Sequence, residues 1–288
     1  MMREAQSLKT RAFNTIRKAF TNSVGEALLL EIASGKKPDS FPAKFIPMPH
    51  LYQSPAMRAV TRNGINYELD ISDLVDWHIY FSIFDEGLEA LFNMVGKHDT
   101  MLDVGANMGH TMLRAAQLAN EGMVIGFEPN EHNYKKCLKN ISLNNFKNLR
   151  IENLALGESK FQTSIKVRDQ HNQGMNRVEL DKAGEIQGTS LDEWAAANNQ
   201  QKVHLIKIDV EGYELKVLKG AAATIAACRP KLFIELDDNN LKHYGDSAKS
   251  LLEFLWTFEY KVTDFKEREI NLRHLEPNGH TDIIAIPK

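Results

Sequence analysis

A short apolar strand that runs straight into a two-glycine turn and then into a helix constrains this chain more than any other feature. It reads Met101-Leu-Asp-Val-Gly-Ala-Asn-Met-Gly-His110. Thr100 to Val104 has the residues of a buried strand, and Thr111 to Leu118 has the apolar spacing of a helix. Glycine permits unusual backbone angles and close ligand approach, while a helix start offers unpaired N–H groups. The turn is D-V-G-A-N-M-G rather than G-x-G-x-x-G, with Ala106-Asn107 where the second dinucleotide glycine would stand. Asp103, an acid inside the strand end, suits a cofactor with a positively charged amino group better than one with a diphosphate. The alternative is that Gly105 and Gly109 merely shape a strand-to-helix turn.

The pattern repeats. Met123 to Phe127 is a second apolar strand, ending in Glu128-Pro129-Asn130. An acid at that tip is where nucleotide-binding α/β folds grip two ribose hydroxyls. Pro129 stops the strand, and Asn130 can cap a helix from Glu131 to about Leu143. Val203 to Asp209 is a third strand, running into Val210-Glu211-Gly212-Tyr213 and a helix that carries Leu215, Leu218, Ala222 and Ile225 on one face. Lys231 to Glu235 is a fourth, set off by Pro230. Asp103, Glu128, Asp209 and Glu235 are therefore expected in register at the carboxyl ends of the strands, where open α/β sheets bind ligands. The alternative for Glu128 is a solvated strand-end acid, and for Asp209 and Glu235 a strand-end acid that pairs with a neighbour such as Lys207.

With these residues in view the chain resembles the FkbM family of S-adenosylmethionine (SAM)-dependent methyltransferases. The resemblance rests on D-V-G-A-N-M-G at 103–109, F-E-P-N at 127–130, L-A-L-G at 154–157 and T-S-L-D-E-W at 189–194. It continues with L-I-K-I-D-V-E-G-Y-E at 205–214, V-L-K-G at 217–220 and T-D-I-I-A-I-P at 281–287. It implies a Rossmann-like class I methyltransferase fold: a mostly parallel seven-stranded sheet with helices on both faces, here with a helical N-terminal extension. It implies SAM as cofactor, with Asp103, Gly105, Ala106, Asn107 and Gly109 around the methionine end. Glu128 and Pro129 would lie at the ribose, and Leu154 and Ala155 against adenine. Asp209 and Glu211 would lie nearest the transferred methyl, and the acceptor would be a hydroxyl of a sugar, glycan or secondary metabolite.

Methyl transfer from a sulfonium is an in-line displacement in which positioning does much of the catalysis. An aliphatic hydroxyl needs a base or a metal to take its proton. Asp209 and Glu235 are the best candidates for the base. Asp209, Glu235, Asp237 and Asp238 would suit magnesium, but nothing in the spacing fixes a geometry, and no metal is assigned. His78, His110, His171 and His243 read as surface or packing histidines. Two other functions share the fold class: a nicotinamide oxidoreductase, disfavoured by the missing G-x-G-x-x-G, and a SAM-binding protein without turnover.

The chain has 288 residues, 43% hydrophobic, enough to bury an α/β core with peripheral structure. A formal net charge of −3 gives no footprint for nucleic acid. Two cysteines, Cys137 and Cys228, show neither metal nor disulfide spacing, as expected in a reducing cytoplasm. No apolar run approaches the ~20 residues of a membrane span, and the first residues show no signal-peptide core. Residues 1–55 read as a helical accessory region. Phe13, Ile16, Phe20, Val24 and Leu28 form one apolar stripe there, and a basic start allows contact with a membrane surface, with the catalytic domain or with a second copy in a homodimer. Residues 56–98 read as a lead-in: a hairpin about Asn63-Gly64, then one aromatic-rich helical stretch from Asp76 to Phe92. Residues 99–288 form the SAM-binding domain. Within it, the long segment Phe161 to Gly188 with its polar stretch 169–174 is where acceptor recognition is expected.

Overall fold

In the computed structural model the described residues are 8–166, 177–180, 184–271 and 280–288. They fall into two compact units, the first ending at Asp85 and the second starting at Glu86.

The first unit contains helices α1 (Leu8–Lys18) and α2 (Ser23–Ala33), hairpin strands β1 (Met57–Arg62) and β2 (Ile65–Asp70), and helix α3 (Leu74–Tyr80). The hairpin forms as expected: Arg62 pairs with Ile65 across a turn whose Asn63 and Gly64 both have positive φ, at +50° and +78°. The single apolar stripe does not form. The helix breaks ahead of Asn22, whose Oδ1 caps α2 by accepting the Gly25 N–H at 3.0 Å. Leu29 and Ala33 of α2 are buried, whereas Val24 is 78% exposed and Leu28 and Ile32 lie open beside it. The aromatic stretch also divides, because Ser82 takes φ +50° and ends α3, leaving Trp77, Tyr80 and Phe81 in the core. Accessory region and lead-in are joined by the buried Glu26. Its carboxylate accepts Arg58 Nε and Nη2 at 2.9 and 2.7 Å and the Tyr80 hydroxyl at 3.0 Å. These contacts tie α2, β1 and α3 together within the compact unit that ends at Asp85.

The second unit runs α4 (Glu86–Met94), β3 (Thr100–Val104), α5 (His110–Leu118), β4 (Met123–Phe127), α6 (Glu131–Ser142), β5 (Leu149–Glu152), β6 (Ala155–Leu156), β7 (Phe161–Lys166), β8 (Arg177–Leu180), β9 (Ile186–Thr189) and α7 (Leu191–Ala197). It continues with β10 (Leu205–Ile208), α8 (Glu214–Lys219), α9 (Ala222–Cys228), β11 (Lys231–Asp237), α10 (Asp238–His243), α11 (Ala248–Thr257), β12 (Tyr260–Asp264) and β13 (His280–Pro287). Seven strands form one sheet in the order β12-β13-β11-β10-β3-β4-β5. The pairings from β11 to β5 are parallel, and β13 is antiparallel to both β11 and β12. This is the expected Rossmann-like sheet. The strand alternation sorts its residues: Met101, Val124, Leu205 and Phe233 face α4, α5 and α6, whereas Leu102, Ile125, Ile206 and Ile234 face α7, α8, α9 and α11. Both faces are thus covered by helices, as near-continuous apolar strands require.

A second sheet, β6-β9-β7-β8, grows from the segment expected to carry acceptor recognition, although its polar stretch 169–174 lies outside the described residues. The helix expected after Asp209 is divided at Gly220. A side chain there would strike the carbonyl of Gly157, so the bare backbone lets L-A-L-G and V-L-K-G touch. T-S-L-D-E-W is structural in the same way: Ser190 caps α7, and the Asp192 carboxylate accepts the Ala223 and Thr224 N–H groups at 2.8 Å, holding the start of α9.

Candidate active site

The expected row of four acids is a row of three. Val104 pairs with Phe127 and with Ile208, and Ile208 with Ile234, so one step further Glu128, Gly105, Asp209 and Glu235 lie abreast at the carboxyl ends. Asp103 lies two residues deeper, abreast of Lys207, with 0% of its surface exposed. At that depth it pairs with Lys207 across the two strands. Lys207 Nζ is 3.4 Å from Asp103 Oδ1 and 3.1 Å from Asp209 Oδ2, and it donates to the Gly105 carbonyl at 3.0 Å. Burial disfavours its charge, but the carboxylates of Asp209 and Asp103 outweigh that and hold the ammonium well above its ordinary range. Burial raises the Asp103 carboxyl, and Lys207 opposes the rise. The Asp209 side chain remains 44% exposed.

The turn between β3 and α5 is built for close approach. Gly105 has φ +86°, and a side chain there would collide with the Asp209 carbonyl. Asn107 also takes positive φ, at +50°, and Gly109 opens α5 with φ +93° and no side-chain cap. Backbone N–H groups at a helix start suit a carboxylate. Glu128 fixes the turn from β4: its Oε2 accepts the Asn107 N–H and its Oε1 the Asn130 N–H, both at 2.8 Å. Each oxygen keeps a second lone pair, which fits paired hydroxyls. Burial pushes the Glu128 carboxyl up to about 7 against these two hydrogen bonds. Beside it opens a small cleft lined by Gly105, Phe127, Pro129, Leu154, Ala155, Val210 and Tyr213 among others. Gly105, Pro129, Leu154 and Ala155 were all expected. Phe127, Val210 and Tyr213 were not, although each directly adjoins or lies within a quoted motif.

The V-E-G turn after β10 carries the densest acidity. Glu211 is held at φ +54°, outside the ordinary region for a glutamate, with its Oε2 accepting Asn240 Nδ2 at 3.0 Å. Glu214, which the sequence reading passed over, is buried beneath the turn and accepts the Val210 and Gly212 N–H groups at 3.1 and 2.9 Å. Burial pushes it up to about 7. Glu235 is pushed up to about 10 by burial and by the charges of Asp209, Glu211, Glu214 and Asp282. That environment favours its protonated form, and its Oε1 lies 3.5 Å from His280 Nδ1. The magnesium set does not assemble. Asp237 caps α10 through Asn239 and Asn240, and Asp238 accepts the Ala248 N–H at 2.8 Å. Among the described residues no three His, Cys, Asp or Glu side chains are grouped to hold a metal.

A cradle without side chains at Gly105, an open helix start, a backbone-fixed carboxylate and an apolar cleft together fit SAM. This fold and site define a class I SAM-dependent methyltransferase. The chain belongs to the Methyltransferase FkbM domain family, whose profile matches residues 103–262, and SAM is its methyl donor. The nicotinamide alternative has no support. Among relatives, the chain is 24% identical over 177 residues to 2-O-methyltransferase NoeI of Sinorhizobium fredii, covering 55% of this chain and 72% of that protein. It is 27% identical over 133 residues to the hexuronic acid methyltransferase AglP of Haloferax volcanii, covering 46% of this chain and 54% of that one. The solved structure of an FkbM methyltransferase from Methylobacillus flagellatus aligns at 16% identity with a TM-score of 0.43, covering 96% of this chain and 58% of that one.

Proposed function

We propose that the protein methylates a sugar or glycan hydroxyl, with Asp209 as the base. The observation that carries this reading is the half-exposed Asp209 carboxylate at the tip of β10, abreast of the glycine turn and held through one oxygen by Lys207. SAM, when bound, would supply an electrophilic methyl group for the acceptor oxygen. Gly105, Ala106, Asn107 and Gly109 hold its methionine end, Glu128 its ribose hydroxyls, and Leu154, Ala155 and Phe127 its adenine. Asp209 accepts the hydroxyl proton as the new C–O bond forms. Glu235, neutral, donates a hydrogen bond that orients the acceptor, and Glu211 shapes the turn between them. The printed activities of the two relatives, a 2-O-methyltransferase and a hexuronic acid methyltransferase, support a carbohydrate acceptor.

The test is SAM turnover against free and glycosidically linked hexoses and hexuronic acids, with the product's methyl group located by NMR. An alkali-stable methyl ether is expected. An alkali-labile ester would overturn the reading, because a carboxylate acceptor needs no base.

We also place the protein in the cytoplasm, in keeping with its two free cysteines, and assign the open Val24, Leu28 and Ile32 face of α2 to a second subunit. Sedimentation should show a dimer that V24D/L28D dissociates. A monomer that floats with anionic vesicles would transfer that face to a membrane.

A further inference from the structure

We propose that Lys207 is a positioning residue that pins the Asp209 carboxylate to the cofactor turn and screens its charge, so that Asp209 does not clamp the sulfonium of SAM. An ammonium has three N–H donors, and Lys207 has three acceptors within 3.4 Å: Asp103 Oδ1, the Gly105 carbonyl and Asp209 Oδ2. An ion pair that served stability alone would be complete with Asp103, which lies directly across the strand pairing. The third partner is a carboxylate that remains 44% exposed, and the second belongs to the turn that holds the cofactor.

The chemistry gives this arrangement a purpose. The sulfonium loses its charge during transfer, so an unscreened carboxylate beside it would stabilise the ground state more than the transition state and slow the reaction. Yet the base must stay anionic and fixed in place. A buried cation bonded to Asp209 through one oxygen meets both needs, and its bond to the Gly105 carbonyl sets base and cofactor turn in one frame.

The experiment compares affinities for SAM and S-adenosylhomocysteine, which differ in the methyl group and the positive charge, by calorimetry on the full chain. D103N/K207M removes the cation without stranding a buried anion. It should fold and raise the preference for SAM over S-adenosylhomocysteine by about tenfold, the size of one charge interaction at a partly buried site. K207R, which keeps the cation, should leave the preference near wild type. Equal losses for both ligands in D103N/K207M would make Lys207 a structural residue and overturn the proposal. If that variant does not fold, D209N decides. A screened Asp209 predicts that the preference for SAM falls by less than about threefold, whereas a drop of about tenfold would reveal an unscreened anion.

Discussion

Glu128 accepts the backbone N–H of Asn107 at 2.8 Å, joining the end of β4 to the turn that opens α5. The residue proposed to hold the ribose also shapes the turn proposed to hold the methionine end. Two charge-assisted hydrogen bonds to ribose set the scale for its removal. Glu128→Ala should weaken SAM binding by about 2–4 kcal/mol in calorimetry. Unchanged affinity would strip Glu128 of this role.

The same carboxyl gives a pH signature. With its ordinary value raised to about 7 by burial, it is protonated below that pH and accepts hydroxyl hydrogens less well. Affinity for S-adenosylhomocysteine should rise as pH passes upward through about 7, and Glu128→Gln should remove that component. A rise of equal size in the variant would assign the titration to the ligand or to another residue.

For Asp209, placed as the base, Asp209→Asn should lower turnover by about 100-fold or more while changing SAM affinity little. Steady-state kinetics beside calorimetry separates the two effects. The opposite split would make Asp209 a residue that orients the cofactor.

Glu214 predicts a stability profile. Its carboxyl sits near 4.5 when unfolded and at about 7 when buried, so the folded chain binds this proton more tightly. Its contribution to stability is full below about pH 4.5 and is lost as pH rises toward 7, a change of about 3 kcal/mol. Urea unfolding from pH 5 to 8 should show that Glu214→Gln loses less stability with rising pH than wild type does. Parallel curves would mean that Glu214 keeps its proton in neither state.

Gly105→Ala places a side chain at φ +86° against the Asp209 carbonyl. The backbone must move, costing at least about 2 kcal/mol of stability, and SAM binding should be lost with it. A variant that melts and binds like wild type would show that the turn has slack.

These predictions rest on features that were unevenly legible in the sequence. The strands, the glycine turn and the acid after each strand could be read because short apolar runs, glycines and strand ends are local signals. Depth was not local. Asp103 and Asp209 look alike as strand-end acids, and only the pairing of Asp103 with Lys207 shows one to be buried two residues below the other. Protonation was further out of reach. Burial and the charges of Asp209, Glu211, Glu214 and Asp282 push Glu235 toward its protonated form, and that convergence exists only in the folded sheet. The N-terminal stripe misled for a related reason: apolar spacing runs on through Asn22, but the capping side chain there ends one helix and begins another.

The contact between Gly220 and Gly157 bears on how such a protein could change its substrate. Gly157 directly follows β6, whose Ala155 and Leu156 form one wall of the cofactor cleft, and Gly220 sits between α8 and α9. The clearance between these layers is set by the missing side chain at Gly220, where a Cβ would meet the Gly157 carbonyl, so it works as a gauge block of fixed thickness. A single methyl group at Gly220, far from any reacting atom, would reset the width of the cleft itself.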